Sequence, residues 1–127
     1  MALVKRSDIQ IPDIPREVEP VPELGGSVIL IGLSLTDRLA NDALSRLDQK
    51  PGDGETVEDA HARAGAAGVL RVLSKCVLGE GDQPLMNQSE WNAFGTKHPL
   101  VSIRLFNRIQ RLDGVTAQGE AELEKNS

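Results

Sequence analysis

From Val28 to Ile31 four apolar residues follow one another without a polar break, preceded by Gly25-Gly26 and by the segment Glu17 to Pro22. Glycine admits the positive φ of tight turns, and β-branched residues follow directly, so the pattern predicts a β-hairpin over residues 17–32. Pro20 and Pro22 remove N–H donors from one side of the first strand, which places it at a sheet edge. That edge is either blunted against further strand addition or meets a partner through side chains. Val28 and Leu30 point to one face and Ile29 and Ile31 to the other, and a two-stranded ribbon cannot cover both. One face is expected on the helices, and the other beneath a loop, the N-terminal arm or another protein.

Four helices follow from capping and periodicity. Ser34 with Asp37, and Thr56 with Asp59, approximate capping boxes that open helices over 35–48 and 57–77. In the first, Leu35, Leu39, Ala43, Leu44 and Leu47 recur at helical spacing, with Arg38, Asn41, Asp42 and Arg46 opposite. The second is rich in small residues, Ala64, Gly65 and Gly68 among them. A glycine inside a helix costs about 1 kcal/mol relative to alanine, so close backbone approach is expected there, within the domain or against a second copy. A short helix over 89–96 carries Trp91 and Phe94 on one face, as core anchors or as a partner hot spot. The last, over 99–113, starts at Pro99, stops at Gly114 and has a broad apolar face. Its Arg104, Arg108 and Arg111 form a basic stripe, either solvated or open to an acidic segment.

The fold class is therefore α+β, mainly α, with an N-terminal hairpin and about four helices. Residues 1–16 read as an extended arm, 17–114 as one domain and 115–127 as an acidic flexible tail. The net charge of -5 opposes non-specific binding to nucleic acid or to an anionic membrane. Trp91, Phe94 and Phe106 are the only aromatics, too few for a base-stacking platform. The single cysteine, Cys76, lies beside Val77 and Leu78 and reads as a buried thiol. His61 and His98 lack metal-ligand spacing, and there is no nucleophile elbow, phosphate loop or dinucleotide fingerprint. A non-enzymatic protein without cofactor or metal is expected. No run approaches the ~20 apolar residues of a membrane span, and the start lacks a signal-peptide apolar run, which predicts a cytosolic protein.

Four stretches in order resemble the tail assembly chaperone family of long-tailed bacteriophages and prophages. They are Val18-Glu19-Pro20-Val21-Pro22-Glu23, the turn and strand Gly25 to Leu33 with Thr36-Asp37-Arg38, the Gly79-to-Leu85 turn, and Leu112-Asp113-Gly114-Val115 with the closing Glu120 to Ser127. The resemblance implies a carrier that holds the tape-measure protein soluble, helps recruit tail-tube subunits through a longer frameshifted product, and acts in the host cytoplasm, absent from the mature virion. A homo-oligomer is expected from the residues themselves, since the second face of Val28–Ile31 and the Ala/Gly face of the second helix are too apolar or too closely packing for an isolated monomer. Candidate partner or self-association surfaces are Val28, Ile29, Leu30 and Ile31 on the hairpin, and Ala64, Gly65 and Gly68 on the second helix. Two other classes stand beside it: a structural tail or head-completion protein retained in the virion, and a small regulatory protein of a mobile element.

The same resemblance implies ribosomal slippage of one nucleotide near the end of the reading frame. Glu124-Lys125-Asn126 can be written GAA-AAA-AAC, which contains the run A-AAA-AAC in the correct phase. The expected gene carries that run with an open frame continuing in the -1 phase. Sequencing checks it: AAG for Lys125 with AAT for Asn126, or no continuing frame, removes the site.

Overall fold

A computed structural model describes residues 2–10 and 14–114. The tail 115–127, with Glu124, Lys125 and Asn126, lies outside the described residues. Strands β1 (Arg16–Val21) and β2 (Gly26–Ile31) pair antiparallel, Val18 opposite Ile29 and Glu19 opposite Val28. Their connection is longer than a two-residue glycine turn. Pro22–Leu24 form one 3-10 turn, Gly25 alone takes positive φ (85°), and Gly26 is already the first residue of β2. Proline's fixed φ suits the first position of such a turn, which is why Pro22 opens it.

The sheet has a third strand that periodicity did not predict. β3 (Val77–Leu78) pairs antiparallel with β2, Leu78 opposite Ile29 and Val77 opposite Leu30. The preceding helix therefore ends at Cys76, and the apolar residues after it are sheet. Pairing satisfies the open edge of β2, which would otherwise leave buried backbone groups without partners. β1 forms the opposite edge, in keeping with its prolines.

The helices are α1 (Leu35–Asp48), α2 (Val57–Cys76), α3 (Gln88–Lys97) and α4 (Pro99–Leu112). Ser34 Oγ accepts from the Asp37 N–H at 3.1 Å, and Thr56 Oγ1 from the Asp59 N–H at 3.1 Å. Asn87 and Glu90 complete a reciprocal capping box at the start of α3. Each cap contributes about 1 kcal/mol. The core joins Val21, Val28 and Leu30 of the hairpin to Val72 and Leu73 of α2, Trp91 of α3, and Leu105 and Ile109 of α4. Trp91 is fully buried and meets Phe94 edge-to-face at 5.5 Å, so this pair anchors the core.

Helix α4 lies across the inner face of the hairpin and meets it with charge as well as apolar surface. Glu19 points inward on β1 and is only 7% exposed. Arg108 Nε stands 3.2 Å from its carboxylate and Arg104 Nε 3.6 Å, while Arg108 Nη1 lies 3.4 Å from Glu17. The basic stripe is thus folded back onto β1: two of its three arginines are neither fully solvated nor free to receive an acidic segment. At the far end of α4, the Asp113 carboxylate accepts from the Leu33 N–H at 3.0 Å and from Arg38 Nη2 at 2.6 Å. Gly32 runs directly beneath that carboxylate, and a Cβ there would collide with Oδ1. This junction requires glycine for close approach, not for backbone freedom.

Removing a nearly buried charge that holds two guanidinium groups should cost more than removing its exposed neighbour. Glu19→Gln is expected to lower stability by about 1–3 kcal/mol, since the two arginines keep part of their hydration. Glu17→Gln is expected to cost about 0–1 kcal/mol. Urea unfolding at neutral pH measures both, and equal losses would contradict the burial-based ranking.

Candidate functional site

The two faces of the hairpin have different fates. Val28 and Leu30 enter the core. Ile29 and Ile31 are half-buried on the outer side, where Val18 stands opposite Ile29 and is 67% exposed. One end of this outer face is closed by Leu78 and the turn behind it, where Leu78 bridges to Pro84 and Leu85 packs over Gly79. The other end meets the chain before β1: the Gly32 N–H donates to Pro15 O at 3.2 Å, and Ile14 lies beside Gly32. Between these ends Val18, Ile29 and Ile31 leave an apolar strip, of which Ile31 also packs against the core. Val18 is the member that sequence reasoning missed; its alternation with Glu17 and Glu19 was the available signal.

The small residues of α2 do several different things. Ala64 is buried inside the domain, and Gly68 faces α1, where a Cβ would meet Ser45 Oγ at 3.4 Å. Gly65 has nothing within 4 Å of a would-be Cβ. With Ala66, Val69, Trp91, Gly95 and Ile103 it borders an open, mostly apolar cleft of ≈ 380 Å³ between α2, α3 and α4. The hairpin residues and the α2 residues thus belong to separate surfaces.

Helix α1 is held by its polar side. Arg71 of α2 donates from Nε to Asn41 Oδ1 at 2.6 Å, from Nη1 to Asp48 Oδ2 at 2.9 Å and from Nη2 to Ser45 Oγ at 3.0 Å. Lys75 adds an ion pair to Asp37 at 3.1 Å. No residue of α1 is buried, and Leu35, Leu39 and Leu47 are 73%, 57% and 60% exposed. A planar guanidinium serving three acceptors is a strong, directional contact, and it decides which side of α1 faces the domain.

His61 is exposed on α2, while His98 sits between α3 and α4 with its ring 5.0 Å from that of Phe94. Among the described residues no group of three His, Cys, Asp or Glu side chains could hold a metal ion. No described helix is long and apolar enough to cross a membrane. Burial pushes the Cys76 thiol up to about 12, with Asp113 and Asp37 adding to the effect. In the exposed loop before α2, hydrogen bonds from Arg63 and from the Gly52 N–H hold Glu55 down to about 2.

Neither a protein-family model nor a curated protein matches the sequence. Among solved structures, the chain is similar to the tail assembly chaperone of bacteriophage HK97, with a TM-score of 0.57 and 17% identity. The likeness covers 78% of this chain and 85% of that one. At this identity it is a likeness of fold: the chain has the fold of a phage tail assembly chaperone.

A thiol with so high a pKa is unreactive at neutral pH, because the thiolate is the nucleophile. At pH 8 the folded protein is expected to react with iodoacetamide roughly a thousandfold more slowly than a free cysteine peptide. Denaturant should restore the rate, as followed by mass spectrometry. Fast alkylation without unfolding would place Cys76 at an accessible surface instead.

Proposed function

We propose that the chain is a phage tail assembly chaperone that binds the tape-measure protein without catalysis. The observation that carries this reading is the fold likeness, which extends over most of both chains. The surfaces are in keeping with it. A carrier for long apolar helical stretches must cover them reversibly, and weak apolar contacts repeated over several copies do so without trapping the client. The strip of Val18, Ile29 and Ile31 is the surface on which we place that contact, with the cleft bordered by Gly65 as a second.

In this reading the chaperone works in the host cytoplasm, in more than one copy, and leaves before the virion is complete. A longer frameshifted product, joined through the residues around Glu124-Lys125-Asn126, recruits tail-tube subunits. Engagement of Arg104 and Arg108 with β1 argues against the regulatory alternative, because a DNA-reading helix needs such cations free for phosphates.

Co-expression with the tape-measure protein encoded downstream is expected to raise the soluble fraction of that protein several-fold. Val18→Lys, at an exposed position, should remove most of the gain while leaving the melting temperature of the chaperone unchanged. Equal precipitation of the tape-measure protein with and without the chain would overturn the assignment. A full gain with Val18→Lys would move the contact off the hairpin.

A further inference from the structure

Helix α1 presents to solvent the face that an amphipathic helix ordinarily buries. Leu35, Leu39, Ala43 and Leu47 lie four residues apart and all face outward. Beside the row stand Asp42 and Arg46, both exposed and neither in an ion pair among the described residues. We infer that this face pairs with the same face of a second copy, the two α1 helices running antiparallel about a two-fold axis at Ala43.

Three features select a second copy as the occupant. The row is self-complementary: with Ala43 on the axis, Leu39 meets the partner's Leu47, and the reverse contact forms by symmetry. Ala43 is the small residue in the row, and a small residue at a crossing lets two helices approach at the short end of the usual 8–10 Å range. The flanking charges are complementary only in this orientation. The partner's Arg46 comes level with Ala40, two residues and about 3 Å along the axis from Asp42, so two symmetric ion pairs flank the row. Parallel pairing in register would put Asp42 and Arg46 of one copy on the opposite side of the seam from those of the other, so neither ion pair could form.

The size of the face sets the strength. α1 spans about 21 Å, and a contact strip about 10 Å wide is far below the roughly 800 Å² per partner of a standard interface. The pairing is therefore weak and reversible by itself, and it becomes effective when copies are held together on a shared client. It extends the multi-copy reading above, yet it concerns the isolated chain and is tested without a tape-measure protein.

The test is thiol cross-linking of the full chain. Ala43→Cys is expected to form a disulfide-linked dimer with copper-phenanthroline at least tenfold faster than Ala62→Cys, an exposed position on α2. Leu39→Lys added to Ala43→Cys should abolish the difference without changing the circular dichroism or melting temperature, since Leu39 is already exposed. Asp42→Arg or Arg46→Asp alone should slow cross-linking several-fold, and the two together should restore it. Equal rates for Ala43→Cys and Ala62→Cys would overturn the pairing, and so would failure of the double charge swap to rescue. Either result leaves the tape-measure assay untouched, so failure here is distinct from failure of the chaperone reading.

Discussion

Everything in this domain depends on α4 lying across the inner face of the hairpin. A two-stranded ribbon is marginal in water because it cannot cover its own apolar side, and here that side carries Val21, Val28 and Leu30 together with the carboxylates of Glu17 and Glu19. A purely apolar helix would strand Glu19 without a partner. α4 answers both demands, with Leu105 and Ile109 in the core and Arg104 and Arg108 reaching the edge strand. Burying a charge is tolerable only with its counter-charge in place, so the register of β1 on α4 is specified more tightly than apolar contact would require.

The far end of α4 transmits this placement to α1. Asp113 closes α4 and receives both the Leu33 N–H and Arg38, which pins the exit of β2 and the first turn of α1 to one carboxylate. Gly32 lets the chain pass beneath it. From that anchor, Arg71 and Lys75 hold α1 against α2 through polar contacts. The domain core is complete without the leucines of α1, which leaves them as surface. A leucine row kept in water by a dedicated guanidinium clamp implies a use for that row outside the monomer.

The surfaces assigned to function are accordingly those the core does not need. The outer strip of the hairpin, the cleft bordered by Gly65 and the outward row of α1 are built from different elements. None depends on a titrating group, since the thiol of Cys76 is sealed in the core and Glu55 and Arg63 pin a loop.

Local physics made the elements legible in advance. Ser34, Thr56 and Pro99 mark helix starts through side-chain caps or a fixed φ, which depend only on near neighbours, and a core anchor was one of the two readings open to Trp91. The hairpin followed from Val28 to Ile31 with its glycines, although the turn proved to be a 3-10 turn from Pro22 that uses Gly25 alone. Tertiary structure alone decided the pairings. Val77 and Leu78 became strand because β2 had an open edge, and nothing within their own neighbourhood distinguishes that from a helix end. Arg104 and Arg108 found Glu17 and Glu19 about ninety positions away, a distance no charge pattern resolves. The period of α1 predicted an apolar side but not its direction, because direction depends on what faces the helix, and here that is Arg71.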